Sequence, residues 1–335
     1  MLKYTYKVVD GQLQDAPPEQ ASVLIYVEPD EAERRDLVDR LKIDEHTLAS
    51  SMDPDELSRL EIEPEHIAAI MKRPKHYSAK DNFLFKVSSI GLFLFKDKLI
   101  VVLAEDAIVV DKGRAFMRMH SPADVFLRIL YRAIFHFLEH LRIVNQLTDE
   151  IEGRISEAME NKLLLHLFAL EKSLVYYLNA IHSNGTLIEK LKVSGARSGF
   201  TTEQIESLDD LMIENNQCYK QAEIYSNILS GMMDARASIV NNNLNVLIKR
   251  LTIISVVFMP LNIIAGIGGM SEYSQWTKGM HWGLAYFLFV LGLGAVAWFT
   301  FLMLQYTGTD AGSLKKRKKL SDFVRRLVRQ HPPTA

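Results

Sequence analysis

The sequence has little cysteine, little net charge and no recognisable catalytic motif. Its single cysteine, Cys218, excludes an intrachain disulfide and a thiolate metal cluster. The 39 basic residues nearly balance the 41 acidic ones, which argues against general nucleic-acid binding. There is no phosphate-binding loop, Ser-His-Asp set or paired-carboxylate pattern. The sequence therefore predicts neither an enzyme nor a resident cofactor.

The amino terminus also lacks the apolar core of a signal peptide, since Met1 to Lys7 alternate apolar and polar residues. We therefore expect the first 240 or so residues to stay in the cytoplasm.

Two long apolar runs are present near the other end of the chain. They extend from Leu251 to Met270 and from Gly283 to Tyr306, and each has the roughly 20 residues needed to cross a hydrocarbon core. Lys249 and Arg250 precede the first run, and basic residues 315–319 follow the second. The positive-inside rule then places both termini in the cytoplasm of an inner-membrane, multi-pass protein, with the basic block meeting anionic lipid.

One face of the first run is polar. Alternating steps of three and four residues place the following residues on that face: Asp234, Ser238, Asn241, Asn245, Ile248, Thr252, Ser255, Met259, Asn262 and Gly266. We call this set the polar stripe. Polar groups at membrane depth are satisfied only inside a bundle or along a water-filled cavity.

The polar stripe therefore predicts an aqueous path. Two helices cannot enclose water, so several identical subunits would surround one axis. The alternative is hydrogen bonding between helices without conduction, because Ser and Thr can bond their own backbone.

The first 120 residues alternate strand-like and helix-like patterns, which predicts a cytoplasmic α/β domain. The predicted strands are 3–9, 23–27, 83–87, 91–95 and 99–103, and the predicted helices are 31–41 and 44–50. Asp53-Pro54-Asp55-Glu56 and Glu63-Pro64-Glu65 resemble further helix starts.

From Ser121 the pattern becomes helical. One helix is predicted to Ile155, and a second over 161–181 that ends near Ser183-Asn184-Gly185. A third, capped by Thr202, would continue as a stalk into the membrane as far as Gly266.

The expected organisation is therefore an α+β membrane protein with the following segments: an α/β domain over 1–120, cytoplasmic helices over 121–250, a first transmembrane helix over 251–270, an external loop over 271–282, a second transmembrane helix over 283–306 and a basic tail over 307–335.

The stalk and first apolar run resemble the CorA family of divalent metal-ion transporters. The likeness is carried by Asn245 to Ile254, then Phe258-Met259-Pro260-Leu261 and Ile264 to Ile267. Arg73-Pro74-Lys75 is a weaker similarity. The family implies a pentameric funnel that conducts Mg²⁺, with Co²⁺ or Zn²⁺ as alternatives. The same ion would act as substrate and as regulator.

The resemblance also implies roles for individual residues. Asp234, Asn241, Asn245, Thr252, Ser255, Asn262 and Gly266 would line the pore, while Ile248, Leu251 and Met259 would form an apolar gate. Gly269, Met270, Ser271 and Glu272 would form the outer mouth. Asp81 and Asp234 would be regulatory metal ligands.

One departure from the family pattern falls at the outer mouth. The chain has Gly269-Met270-Ser271, whereas the family signature is Gly-Met-Asn. Asn offers a carbonyl acceptor and an amide donor on a longer arm, and Ser offers one short hydroxyl. Mg²⁺ keeps several of its waters, so a ring of Ser would hold the hydrated ion more weakly. A transition-metal transporter, a poorly selective pore or a non-conducting scaffold remain alternatives.

His136 and His140 are spaced i, i+4, a spacing that can bind zinc. No third ligand lies nearby in sequence, which favours a solvated helix face.

Overall fold

The computed structural model describes residues 1–77, 83–110, 119–155, 161–195 and 199–308. The chain divides into two compact units, Met1–Arg236 and Ala237–Ala335. The predicted basic tail lies almost wholly outside the described residues.

The first unit is built on a seven-stranded sheet with the order β2-β1-β3-β7-β6-β5-β4. The strands are β1 (Leu2–Val9), β2 (Gln12–Asp15), β3 (Val23–Val27), β4 (Arg59–Ile62), β5 (His66–Pro74), β6 (Val87–Phe95) and β7 (Leu99–Leu103). Only the β3–β7 pair is parallel. β6 and β7 form the hairpin predicted around Asp97-Lys98, where Phe95 N donates to Lys98 O at 2.8 Å.

Helices cover both faces of the sheet, as an α/β domain requires. They are α1 (Glu31–Asp39), α2 (Glu45–Ser50), α3 (Pro122–Ile155), α4 (Asn161–Ser194) and the first part of α5 (Thr202–Gly268). On one face Leu37 and Leu48 of α1 and α2 pack on Phe93 and Val102. On the other, α3, α4 and α5 form the larger core. The α/β part of the predicted fold class is confirmed.

Polar side chains cap the amino-terminal ends of α1, α2 and α5. Asp30 and Glu33 form a capping box on α1, and Asp44 accepts a hydrogen bond from Thr47 N at the start of α2. For α5 the predicted cap was one residue off. Thr201, not Thr202, accepts from Gln204 N at 3.3 Å, while Gln204 Oε1 accepts from Thr201 N at 3.0 Å.

The sheet region differs from the sequence prediction in four places. Asp53-Pro54-Asp55-Glu56 begins no helix, because Asp53 Oδ1 accepts a hydrogen bond from Asp55 N at 2.8 Å in a turn between α2 and β4. Glu63-Pro64-Glu65 begins no helix, because this segment is the turn of the β4–β5 hairpin, with Glu63 N donating to His66 O at 2.9 Å. The strands β2, β4 and β5 were not predicted. Of the predicted strand 83–87 only Val87 belongs to β6, and Phe83 has a positive φ of 67° that no strand allows.

Helix α4 does not end near Ser183-Asn184-Gly185, as the sequence suggested, because these residues make contacts inside the protein. A Cβ on Gly185 would lie 2.8 Å from Asn215 Nδ2, so a larger residue would displace the Asn215 amide, which donates to Ile181 O of α4 at 3.0 Å.

Asn184 is fully buried and serves the sheet. β4 pairs with β5 only from Ile67 to Ile70, so it offers no partner to Lys72. Asn184 supplies one. Its Nδ2 donates to Lys72 O at 2.9 Å, and its Oδ1 accepts from Lys72 N at 2.9 Å. One side chain thus completes the hydrogen bonding of a strand beyond the end of its neighbour.

The second unit contains the end of α5, the short helix α6 (Ser271–Trp276) and α7 (Trp282–Gly308). α6 occupies part of the predicted 271–282 loop. Two helices of the described chain, α5 and α7, are long and apolar enough to cross a membrane.

We predict that Asn184→Ala destabilises the sheet, because it leaves the buried Lys72 N–H and C=O without partners. The expected loss is about 2–4 kcal/mol in the free energy of opening of β5. Hydrogen–deuterium exchange of β5 peptides in the full-length protein measures it. Asn179→Ala, at an exposed position of the same helix, is the matched control. Equal β5 protection in both variants would contradict this role for Asn184.

Candidate functional site

In the second unit the polar stripe lies on solvent-accessible surface of the single chain. Its members there are Ser238, Asn241, Asn245, Ile248, Thr252, Ser255, Met259, Asn262 and Gly266, and all are exposed. At about 100° per residue, Asn241 and the residues after it fall within an arc of about 100° on α5. Leu251, predicted as part of the gate, lies at the edge of this arc and is 67% exposed.

A different face of α5 is half-buried. It contains Ile253, Val257, Pro260, Leu261 and Ile264. By the same helical geometry this face lies nearly opposite the polar stripe. α7 likewise has a half-buried face, formed by Ala285, Phe289, Leu293, Val296 and Thr300.

The two membrane helices therefore have apolar faces suited to pack together as a hairpin. The polar stripe is not covered by the chain's own second helix.

The hydroxyl groups and the amides of the polar stripe differ in how they can be satisfied. Thr252 Oγ1 donates to Ile248 O at 2.9 Å, so its proton is used within the helix while its oxygen still accepts. An Asn amide has two donors and a carbonyl acceptor, more than one such backbone bond satisfies. Asn241, Asn245 and Asn262 therefore require water, an ion or a partner chain more than the hydroxyl residues of the polar stripe do.

Pro260 lies within α5. Because proline has no N–H, the carbonyl four residues earlier, on Val256, has no helical donor at that position.

The predicted outer mouth follows directly on α5. Gly269 N donates to Gly266 O at 3.2 Å and Met270 N donates to Ile267 O at 3.0 Å, which closes the helix in two tight turns. Ser271 is exposed and is the first residue of α6. Glu272 is the next residue of the same short helix. The structure therefore places Gly269, Met270 and Ser271 in succession at the end of the polar stripe.

Only one of the two predicted regulatory ligands lies in the described part of the chain. Asp234 is an exposed residue of α5 in the first unit, and Asp81 lies outside the described residues. Within the described ranges no three His, Cys, Asp or Glu side chains form a group that could hold a metal ion.

The sequence favoured a solvated helix face for His136 and His140. His140 is buried and His136 is half-buried, so that prediction was wrong for His140. The Nδ1 of His140 lies 2.5 Å from the Tyr177 hydroxyl, and its ring centroid lies 5.5 Å from that of Phe85 in a T-shaped arrangement. Burial lowers the pKa of His140 to about 3, helped by the neighbouring His136. Because α4 and the sheet cover this side of α3, the imidazole is a neutral hydrogen-bonding partner in the core.

Cys218 is fully buried in the core of the first unit. Burial, and then the nearby Glu214, raise the pKa of its thiol to about 12. The thiolate form that reacts with electrophiles is therefore scarce at neutral pH.

Comparison with known proteins agrees with this arrangement. The family described as CorA-like Mg²⁺ transporter protein matches residues 20–306. The cobalt/magnesium transport protein CorA of Methanocaldococcus jannaschii is 23% identical over 256 residues, which cover 73% of this chain and 78% of the relative. The protein of the same name from Thermotoga maritima is 28% identical over 228 residues, covering 64% of each chain.

The fold is also shared with a solved structure. The complete CorA magnesium transporter of M. jannaschii matches with a TM-score of 0.72 at 18% identity, covering 90% of this chain and 96% of that one.

An α/β domain followed by two membrane-crossing helices defines a two-span membrane protein. With a family match over most of its length, the chain belongs to the CorA-like Mg²⁺ transporter family. It is a divalent-cation transporter of the membrane and not an enzyme, so the fold class and the family resemblance seen in the sequence are confirmed.

Proposed function

We propose that the protein conducts divalent cations, Mg²⁺ foremost, along a water-filled path lined by the polar stripes of several identical subunits. The observation that carries this proposal is that the polar stripe lies nearly opposite the half-buried face of α5. Surface of that polarity at membrane depth needs water or a partner. The relatives named as cobalt/magnesium transport proteins support a divalent ion as the substrate.

A homo-oligomer follows from the same geometry, because one α5 cannot surround an aqueous path. We propose a cyclic pentamer, the assembly that the family resemblance implies. The first unit has surface suited to self-association, since Ile213, Ile224 and Ile228 are 63%, 54% and 48% exposed along one side of α5.

The residue roles and the topology complete the proposal. Asn245, Thr252, Ser255, Asn262 and Gly266 line the path, with Asn241 and Asp234 toward the cytoplasm. Ile248, Leu251 and Met259 form an apolar constriction that can exclude water. Both termini face the cytoplasm across the inner membrane. The same divalent ion regulates the protein at Asp234 and Asp81.

We expect proteoliposomes containing the full-length protein to take up Mg²⁺ and Co²⁺ faster than empty vesicles. Flux under Mg²⁺, Co²⁺, Zn²⁺ and monovalent gradients measures both transport and selectivity. Flux equal to that of empty vesicles under every divalent gradient would remove the conduction claim and favour a non-conducting scaffold.

Cysteine substitution tests which face of α5 meets water. We expect Asn262→Cys and Thr252→Cys to react with a charged thiol reagent at least about tenfold faster than Ile254→Cys, because the reactive thiolate forms only in contact with water. Ile254 is the matched control, since it is 55% exposed in the single chain but lies off the polar stripe. The buried Cys218 adds no background. Equal labelling at all three positions would refute the assignment of the lining.

Ser271 favours a second candidate, a weakly selective divalent pore. We predict that Ser271→Asn strengthens Mg²⁺ binding at the outer mouth, because Asn adds an acceptor and a donor for the hydrated ion. A gain of about 1 kcal/mol, the usual net value of one hydrogen bond, corresponds to about a fivefold lower half-saturating Mg²⁺ concentration. Ser271→Thr, which keeps the hydroxyl, is the control. Unchanged Mg²⁺ saturation in Ser271→Asn would count against this role.

A further inference from the structure

The first unit contains a cleft that cation conduction does not require. It has a volume of about 780 Å³ and lies between α3 and the end of the sheet at which β5 and β7 terminate. β5 and β7 both run antiparallel to β6, so they point the same way, as does β3, which is parallel to β7. The segments that follow β5 and β7 therefore lie at the same end of the sheet. Lys75 from the first segment and Glu105 from the second line the cleft.

Cationic side chains outnumber carboxylates in the lining by four to three. Arg73, Lys75, Lys86 and Arg132 face three carboxylates, and His76 and His136 add two imidazoles. Two of the three carboxylates are held in ion pairs, while the third, Glu139, pairs with no cation among the described residues. Glu105 is shared between Arg73 at 3.1 Å and Lys75 at 3.0 Å, and Asp106 pairs with Lys3 at 2.6 Å.

In the described part of the chain no ion pair joins Lys86 or Arg132 to an acid. An excess of positive charge therefore remains for an anion.

Arg73 is the buried anchor of this cluster. It points toward α3 because it has the same strand parity as Ile67, Ala69 and Met71, which belong to the core on that side. Its side chain is only 6% exposed. Its Nη2 donates to Glu105 and its Nη1 donates to Pro74 O at 3.2 Å, while its buried Nε–H donates to no acceptor among the described residues. A buried guanidinium with one shared carboxylate is incompletely compensated. Its positive charge beside the cleft favours an oxyanion there.

The electrostatics around His136 agree with the geometry. Burial lowers the pKa of His136 to about 4, and the next causes are the positive charges of Arg132 and Arg73, then His76. Cationic groups from α3 and β5 thus converge on one neutral imidazole.

The remaining wall of the cleft is apolar. Leu84, Ile90 and Ile129 contribute to it, and Tyr77 is held by stacking on Phe85 at a ring distance of 4.1 Å. The volume is within the range of about 300–1,000 Å³ that is usual for small-molecule sites. One side therefore suits an anion and the other an apolar or aromatic body.

We propose that this cleft binds a soluble phosphate ester with an aromatic body, whose phosphate contacts Arg73, Lys75, Lys86 and Arg132. The transported cation does not fit the site, because cationic side chains outnumber the acids there. Binding is independent of the proposed conduction path.

Calorimetric titration of the full-length protein in detergent with AMP, in magnesium-free buffer, tests the proposal. We expect saturable binding of AMP, weaker binding of inorganic phosphate and none of adenosine. Lys86→Gln and Arg132→Gln should each weaken AMP binding by at least about tenfold, because each removes a charge-assisted contact. Neither residue is fully buried, so both variants should fold.

The matched control is Arg142→Gln, at an exposed position of α3 that does not line the cleft. It should leave AMP binding unchanged. Absence of AMP binding to the unaltered protein, equal binding of adenosine, or unchanged affinity in both cleft variants would overturn the proposal. Tighter binding of a short-chain phosphatidic acid than of AMP would overturn the assignment to a soluble ester. Cation flux is measured separately, so failure of either proposal leaves the other standing.

Discussion

The structure depends most on how the amide and hydroxyl side chains of an otherwise apolar helix find hydrogen-bond partners. α5 has one half-buried apolar face, and its polar stripe lies on nearly the opposite side. An Asn amide within hydrocarbon costs several kcal/mol if it finds no partner. A single copy of the chain leaves these amides uncovered. Our proposals of association between identical copies and of access for water both rest on this one arrangement of side chains.

Much of the fold could be predicted because long periodic patterns dominate local detail. The extent of α3 and the two apolar helices followed from spacing and length, and Val23–Val27 was predicted to the residue. The β1–β2 hairpin was missed although Asp10-Gly11 is a strong signal for a two-residue turn, and both residues have the positive φ that this turn needs.

β5 was harder to predict because a fully buried central strand has no alternation to reveal it. It contains Lys72 and Arg73, whose burial depends on distant partners. Lys72 Nζ donates to Pro54 O at 2.6 Å, and Arg73 pairs with Glu105. The same dependence on tertiary contacts hid the core position of His140 and the continuation of α4 through Asn184. Sequence spacing could locate the polar stripe, but it could not show which face of α5 its neighbour covers.

The proline within α5 has a mechanical consequence. A bend in a helix normally stretches the backbone hydrogen bonds on its outer side, but at Pro260 one of these hydrogen bonds is already absent. The helix therefore resists bending least next to the carbonyl of Val256, about one turn from the exposed Met259. A small change in curvature at this position would alter the direction of the segment that leads to Gly269. It would leave every other backbone hydrogen bond of the span intact.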